Sequence, residues 1–218
     1  MEQQTTPSMT GKQKRDIRRL LNDALDEMGF SSPAAQKALS NGGRLKSGVK
    51  EVLAKLSTSD LLEAVGTATT PAIATFRAKE YFKDDRSGSV KIGWIGDNFR
   101  KTFLAGDGMV EGAVAEATLR IHKLVKRSVD GPILAELGEA VAETTLGQMY
   151  EMMKAQGQGQ QGILLTNGYA NIFYVRDSNN VLWAAGCRWN SGGGYWSVGA
   201  HPVSDPVTWG AGDQVFSR

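Results

Sequence analysis

The segment 181-VLWAAGCRWNSGGGYWSVGAHPV-203 holds two aromatic, strand-favouring runs on either side of a glycine-rich break. Glycine reaches positive φ without a Cβ penalty, so Asn190-Ser191-Gly192-Gly193-Gly194 reads as a hairpin turn. With Gly192-Gly193 as a two-residue loop, Trp189 stands opposite Trp196, Cys187 opposite Val198 and Ala185 opposite Ala200. Side chains alternate across a strand, so these residues share one face with Trp183, and that face reads as core. The other face carries Leu182, Ala184, Gly186, Arg188, Tyr195, Ser197, Gly199 and His201, and its small residues leave space above the sheet. Two occupants of that space are open. One is the amphipathic helix expected at 144–154, whose Leu146, Met149, Tyr150 and Met153 need a surface. The other is a ligand held by Arg188, Tyr195 and His201. The helix is the more ordinary solution, because small residues under a packed helix are common. A slip of one residue at the turn would exchange the faces.

Strands extend outward from this hairpin. The sequence predicts them at Ile163–Asp177 and Gln214–Ser217, and YANIFYV at 169–175, apolar on both faces, reads as central. Val90, Ile92 and Trp94 alternate with Lys91 and Gly93 as in a half-buried strand, and Leu119 and Ile121 do the same. Asp97 is placed to cap a short helix through Leu104, and Thr144 or Thr145 to cap the 144–154 helix. Asp130-Gly131-Pro132 reads as a turn, and AQGQGQQG at 155–162 as a flexible polar loop.

The N-terminal third has a different texture. Ile17, Leu20, Leu21, Ala24, Leu25 and Met28 recur at helical spacing, as do Leu45, Val49, Val52, Leu53 and Leu56. A further helix is expected from Thr58 to Gly66, and TATTPAIAT at 67–75 reads as a linker. The expected organisation is a disordered tail over 1–11, a helical region over 12–66, the linker 67–75 and a domain over 76–218. The fold class is α+β: a small helical N-terminal region followed by a mainly antiparallel β-sheet with one packed helix.

Composition narrows function more by exclusion than by assignment. The chain has 218 residues, 41% hydrophobic and 22% charged, with a formal net charge of +2. One cysteine, Cys187, allows no internal disulfide and fits a reducing, cytoplasmic compartment. Two histidines far apart, His122 and His201, do not make a metal centre, and no metal or cofactor is expected. No apolar run is long enough to span a membrane. No Walker sequence, no GxGxxG opening a helix and no GxSxG is present, and Cys187 on a core face is not a nucleophile. Asp84, Asp85, Asp97, Asp107, Asp130, Glu136 and Glu139 offer carboxylates, but nothing in their spacing fixes a catalytic pair.

A basic cluster at Arg120, Lys123, Lys126 and Arg127, beside His122, has the charge to contact nucleic-acid phosphate. Its bland counterpart is a strand edge protected from pairing by charge. The helices at 12–66 allow association with a protein partner or a second copy, and their Gly-rich turn at 40–43 allows a helix-turn-helix reading.

Taken together, VKIGWIGDNF, SVDGPILAELG, AETTLGQMYEMM, LLTNGYANIFYVRD and WGAGDQVFSR resemble a family of small uncharacterised proteins predicted from genomes of uncultured bacterial lineages. ALSNGGRLKSGVKEVLAKLS at 38–57 is loosely similar to N-terminal parts of such proteins. The resemblance implies one recurring unit over residues 76–218 and carries no activity, ligand or catalytic residue. The function expected is therefore a non-catalytic binding or protein-interaction module. The alternative is an enzyme with a small pocket on the Arg188/Tyr195/His201 face.

Overall fold

The computed structural model describes residues 61–205 and 207–218, together with Gly11, Arg15 and Arg19, which are helical. The expectations for the other residues before Leu61, including the N-terminal helices and any association through them, lie outside the described residues. One compact unit of the chain spans Thr58–Arg218.

Its frame is a seven-stranded sheet in the order β1-β5-β9-β6-β7-β8-β3. The strands are β1 Leu62–Thr70, β3 Ile92–Ile95, β5 Ala117–Leu124, β6 Asn171–Arg176, β7 Leu182–Asn190, β8 Tyr195–Pro202 and β9 Gln214–Ser217. Phe76–Arg77 (β2) and Val110–Glu111 (β4) pair separately. Neighbours are antiparallel except β6 with β9 and β3 with β8. The short helices are α1 Ala78–Tyr81, α2 Asp97–Phe99 running into a π-helical turn at Arg100–Leu104, α3 Asp130–Leu137 and α4 Glu139–Ala142. The longest helix among the described residues is α5, Leu146–Ala155. An α+β fold with a mostly antiparallel sheet is what the patterning predicts, and β6 lies at its centre with both faces buried. No helix among the described residues is long and apolar enough to cross a membrane.

The hairpin has the expected register: Trp189 pairs with Trp196, Cys187 with Val198 and Ala185 with Ala200. The loop itself is four residues rather than the expected two, because pairing ends at Asn190↔Tyr195 and the Asn190 carbonyl accepts from Gly193 and Gly194. Gly194 takes the left-handed φ of 66° that lets the chain return. Trp196 is fully buried, its Nε1 donating to the Gln156 carbonyl at 3.0 Å, and Trp189 packs edge-on against it.

The occupant of each face is where expectation and structure part. α5 begins at Thr145, whose hydroxyl accepts from Gln148 N–H while the Gln148 side chain accepts from Thr145 N–H. Glu111 adds two more acceptors, to the N–H groups of Leu146 and Gly147 at 2.8 Å each. The helix then lays Leu146, Met149 and Met153 on the tryptophan face, with Phe173, Trp196 and Phe216. It does not cover the small-residue face. That face is covered only in part, by Ile133 of α3, Ala142 of α4 and Trp209, against Leu124, Ile172, Tyr174 and Val215.

Four further expectations are corrected. Residues 62–70 form β1, paired with β5 from Leu62↔Leu124 to Thr70↔Ala117, in place of a helix end and linker. Thr-rich sequence suits an exposed strand, and small residues without alternation hid it. Asp130-Gly131-Pro132 is the first turn of α3 rather than a loop. Asp97 lies inside α2, with Gly96 at the cap position. The polar exit from α5 is pinned: the Gln156 side chain donates to the carbonyls of Gln160 and Leu164 and accepts from Leu164 N–H.

Two outcomes follow from this packing. Trp196→Ala should cost ~3–5 kcal/mol and lower Tm by about 10 °C or more, read by calorimetry. A fragment 58–218 should unfold cooperatively, whereas one starting at residue 71 leaves β5 as a bare edge and should aggregate or melt earlier. Equal melting of the two fragments would show that β1 contributes nothing to the sheet.

Candidate functional site

The small-residue face is open over β7, β8 and β3, and a groove of about 300 Å³ lies there. Its floor is the cross-strand pair Gly186↔Gly199. Two indoles reach this pair from opposite sides. A Cβ on Gly199 would lie 3.7 Å from Cζ3 of Trp94, and one on Gly186 would lie 3.8 Å from Cη2 of Trp209. The glycines are thus what leaves space between the rings.

Trp94 is there because of a bulge. Alternation from Val90 and Ile92 puts it in the core, but the register shifts between Ile92 and Trp94. Ile92 pairs with Trp196, Trp94 with Ser197 and Ile95 with Val198. One extra residue in β3 exchanges the faces beyond Gly93. Trp94 therefore shares the face of Ser197, Gly199 and His201, and at 52% it is the most exposed large hydrophobic side chain among the described residues.

His201 forms one end of the groove. Its Nε2 lies 3.0 Å from Oδ2 of Asp130, and its ring centroid lies 4.9 Å from that of Trp209. Asp130 is fully buried at the start of α3, and its Oδ1 accepts from the Tyr174 hydroxyl at 2.8 Å and Trp209 Nε1 at 2.7 Å. A buried carboxylate needs such donors. Burial, then the adjacent carboxylate, pushes the Tyr174 hydroxyl far above the ordinary phenol range, so it stays a donor. With Nε2–H donated to Asp130, Nδ1 is the acceptor in the neutral form of the ring, and it has no partner among the described residues.

Arg188, paired across the ladder with Ser197, lines the opposite end. It is exposed and has no ion pair or hydrogen bond among the described residues. The structure therefore brings Arg188 and His201 to one concavity. It does not bring Tyr195: that ring packs beside Gly93 under the Arg86 guanidinium, 4.0 Å from its centroid, and its hydroxyl accepts from Asn190. Trp94, Trp209 and the Asp130–His201 pairing were not identified from the sequence. The bulge at Gly93 hid the first, and the reading of Asp130 as a turn residue hid the last.

The other candidates are dispersed. Arg120, Lys123, Lys126 and Arg127 are all exposed, but Arg120 and Lys123, three apart on β5, fall on opposite faces. β5 lies between β1 and β9, so the expected protected edge is an interior strand. His122 bonds Ser217 Oγ at 3.1 Å, and burial lowers its pKa. Cys187 is buried and burial pushes its thiol up, away from nucleophilic use. Among the described residues no cluster of His, Cys, Asp or Glu is arranged to hold a metal ion.

Asp130→Asn keeps an acceptor for Tyr174 and Trp209 but turns an amide N–H toward His201. The imidazole should then switch from the Nε2–H to the Nδ1–H tautomer, visible in ring ¹⁵N shifts. Asp130→Ala leaves buried donors unpaired and should cost ~3–5 kcal/mol. An unchanged tautomer in Asp130→Asn would mean that Asp130 does not set the ring. No family model, curated protein or solved structure matches this chain.

Proposed function

We propose that this protein is a cytoplasmic, non-catalytic binding module that holds a small molecule in the groove between Trp94 and Trp209. The observation that carries this is the paired glycine floor under two converging indoles, with an unpartnered Arg188 at one end. Aromatic walls with a few polar groups are what ligand sites are made of. The groove lies at the small end of the usual range, which fits a single ring system rather than a polymer. The single, buried cysteine supports the compartment. That residues 76–218 form a unit recurring in other proteins belongs to the same proposal.

A second reading is an enzyme using this groove, with His201 accepting a proton from its substrate. The Asp130–His201 hydrogen bond favours it, since a carboxylate behind an imidazole fixes its tautomer and supports a charged ring. The two readings separate on whether bound compound is recovered chemically unchanged.

The test is a fragment screen followed by NMR mapping. Binders should perturb the backbone signals of Gly186 and Gly199 and the indoles of Trp94 and Trp209. Gly199→Val fills the floor at an ordinary contact distance, with no left-handed backbone to strain. It should abolish binding and leave Tm within a few degrees. Binders that map elsewhere and survive Gly199→Val would overturn the groove.

A further inference from the structure

We infer that the groove selects a flat, ring-bearing monocarboxylate: carboxylate on Arg188, ring between the indoles over the Gly186/Gly199 floor, and a hydroxyl donated to Nδ1 of His201. This rests on the groove being the binding site. Three observations define the class.

The first is charge. Among the described residues, Arg188 is the charged side chain that lines the groove, it lacks a partner, and no acidic side chain lines the groove beside it. A guanidinium binds a carboxylate through two parallel N–H bonds. One cation matches one negative charge; a phosphate dianion would leave charge uncompensated. The Ser197 hydroxyl, directly across the ladder, is placed as a further donor.

The second is polarity along the groove. His201 stands before the buried carboxylate of Asp130, which opposes a second anion at that end. With Nε2–H committed to Asp130, Nδ1 of the neutral ring accepts a hydrogen bond. The complementary group is a hydroxyl or N–H. Among the described residues, the titratable groups in the hydrogen-bond network of His201 are Asp130 from α3 and, beyond it, Tyr174 from β6, whose hydroxyl stays protonated. Trp209, from the loop before β9, adds a neutral donor.

The third is shape. Ser197 and His201 are four residues apart on β8, about 13 Å along the strand. Side chains converging from both ends leave room for one elongated flat body with its polar groups at opposite ends. The glycine pair removes the side chains that would hold a ring off the sheet, and Trp94 supplies an exposed face for stacking.

The probes are 4-hydroxycinnamate, its methyl ester, which lacks the charge, and cinnamate, which lacks the hydroxyl. Affinity is measured by calorimetry on the full chain, and location by NMR. The acid should bind about tenfold or more tighter than the ester, and cinnamate should lose about fivefold. Arg188→Met removes a side chain with no partner to lose, and it should bring acid and ester to the same affinity without changing Tm. Trp94→Ala should weaken all three compounds. If acid and ester bind alike in the groove, and Arg188→Met changes neither, the carboxylate class is wrong while the groove remains. If none of the three binds at millimolar concentration, while other fragments still map to Gly186 and Gly199, the class again fails alone. If neither these nor any fragment reaches the groove, both readings fall.

Discussion

Asp130 is the constraint on which the site depends. A carboxylate with no solvent exposure is tolerated only when its lone pairs are filled, and here they are filled from three directions. Tyr174 donates from the central strand, Trp209 from the loop that precedes β9, and His201 from β8. One buried charge thereby fixes the start of α3, the position of an indole wall and the orientation of an imidazole. None of these contacts is local: the partners lie 44, 71 and 79 residues away in the chain. The network rigidifies one end of the groove while the Arg188 end remains free, an asymmetry suited to orienting what binds.

The two faces of the sheet solve different problems. On one, α5 and the tryptophan pair build the larger core, with Phe173 and Phe216 stacked at 4.5 Å. On the other, α3 and α4 are short, and the cluster they join runs from β5 across β9 and β6 only as far as Leu182 and Ala184 on β7. That cluster stops short of Gly186 on β7 and of β8, and the glycines there expose sheet rather than side chain. The groove is thus the part of an apolar face that the available helices are too short to cover. Salt bridges from Arg176 to Glu139 and Glu143 tie α4 and the residue after it to β6, so this partial cover is held in place.

Much of this was legible in the residues themselves. The hairpin register followed from Trp-Asn-Ser-Gly-Gly-Gly-Tyr-Trp, because glycines mark the turn and strict alternation then dictates every facing pair. The central place of β6 followed from apolar residues on both its faces, and the start of α5, to within one residue, from the pair Thr144-Thr145. The open face was visible as well: Ala184, Gly186, Arg188, Ser197, Gly199 and His201 were grouped by alternation alone.

What the chain could not declare by itself were choices made between distant segments. Which face α5 would cover was one: both offered apolar surface, and the Trp189/Trp196 face, larger and unable to face water, took it. β1 was another, since a Thr- and Ala-rich segment becomes a strand only when β5 supplies its partner. Trp94 moved from core to groove through one extra residue in β3, a register decided by pairing with β8 rather than by its own pattern. Asp130 and His201 met for the same reason. Local sequence determines strand faces and caps because their causes lie within a few residues; the site was decided by tertiary packing because its parts interact only once the sheet brings them together.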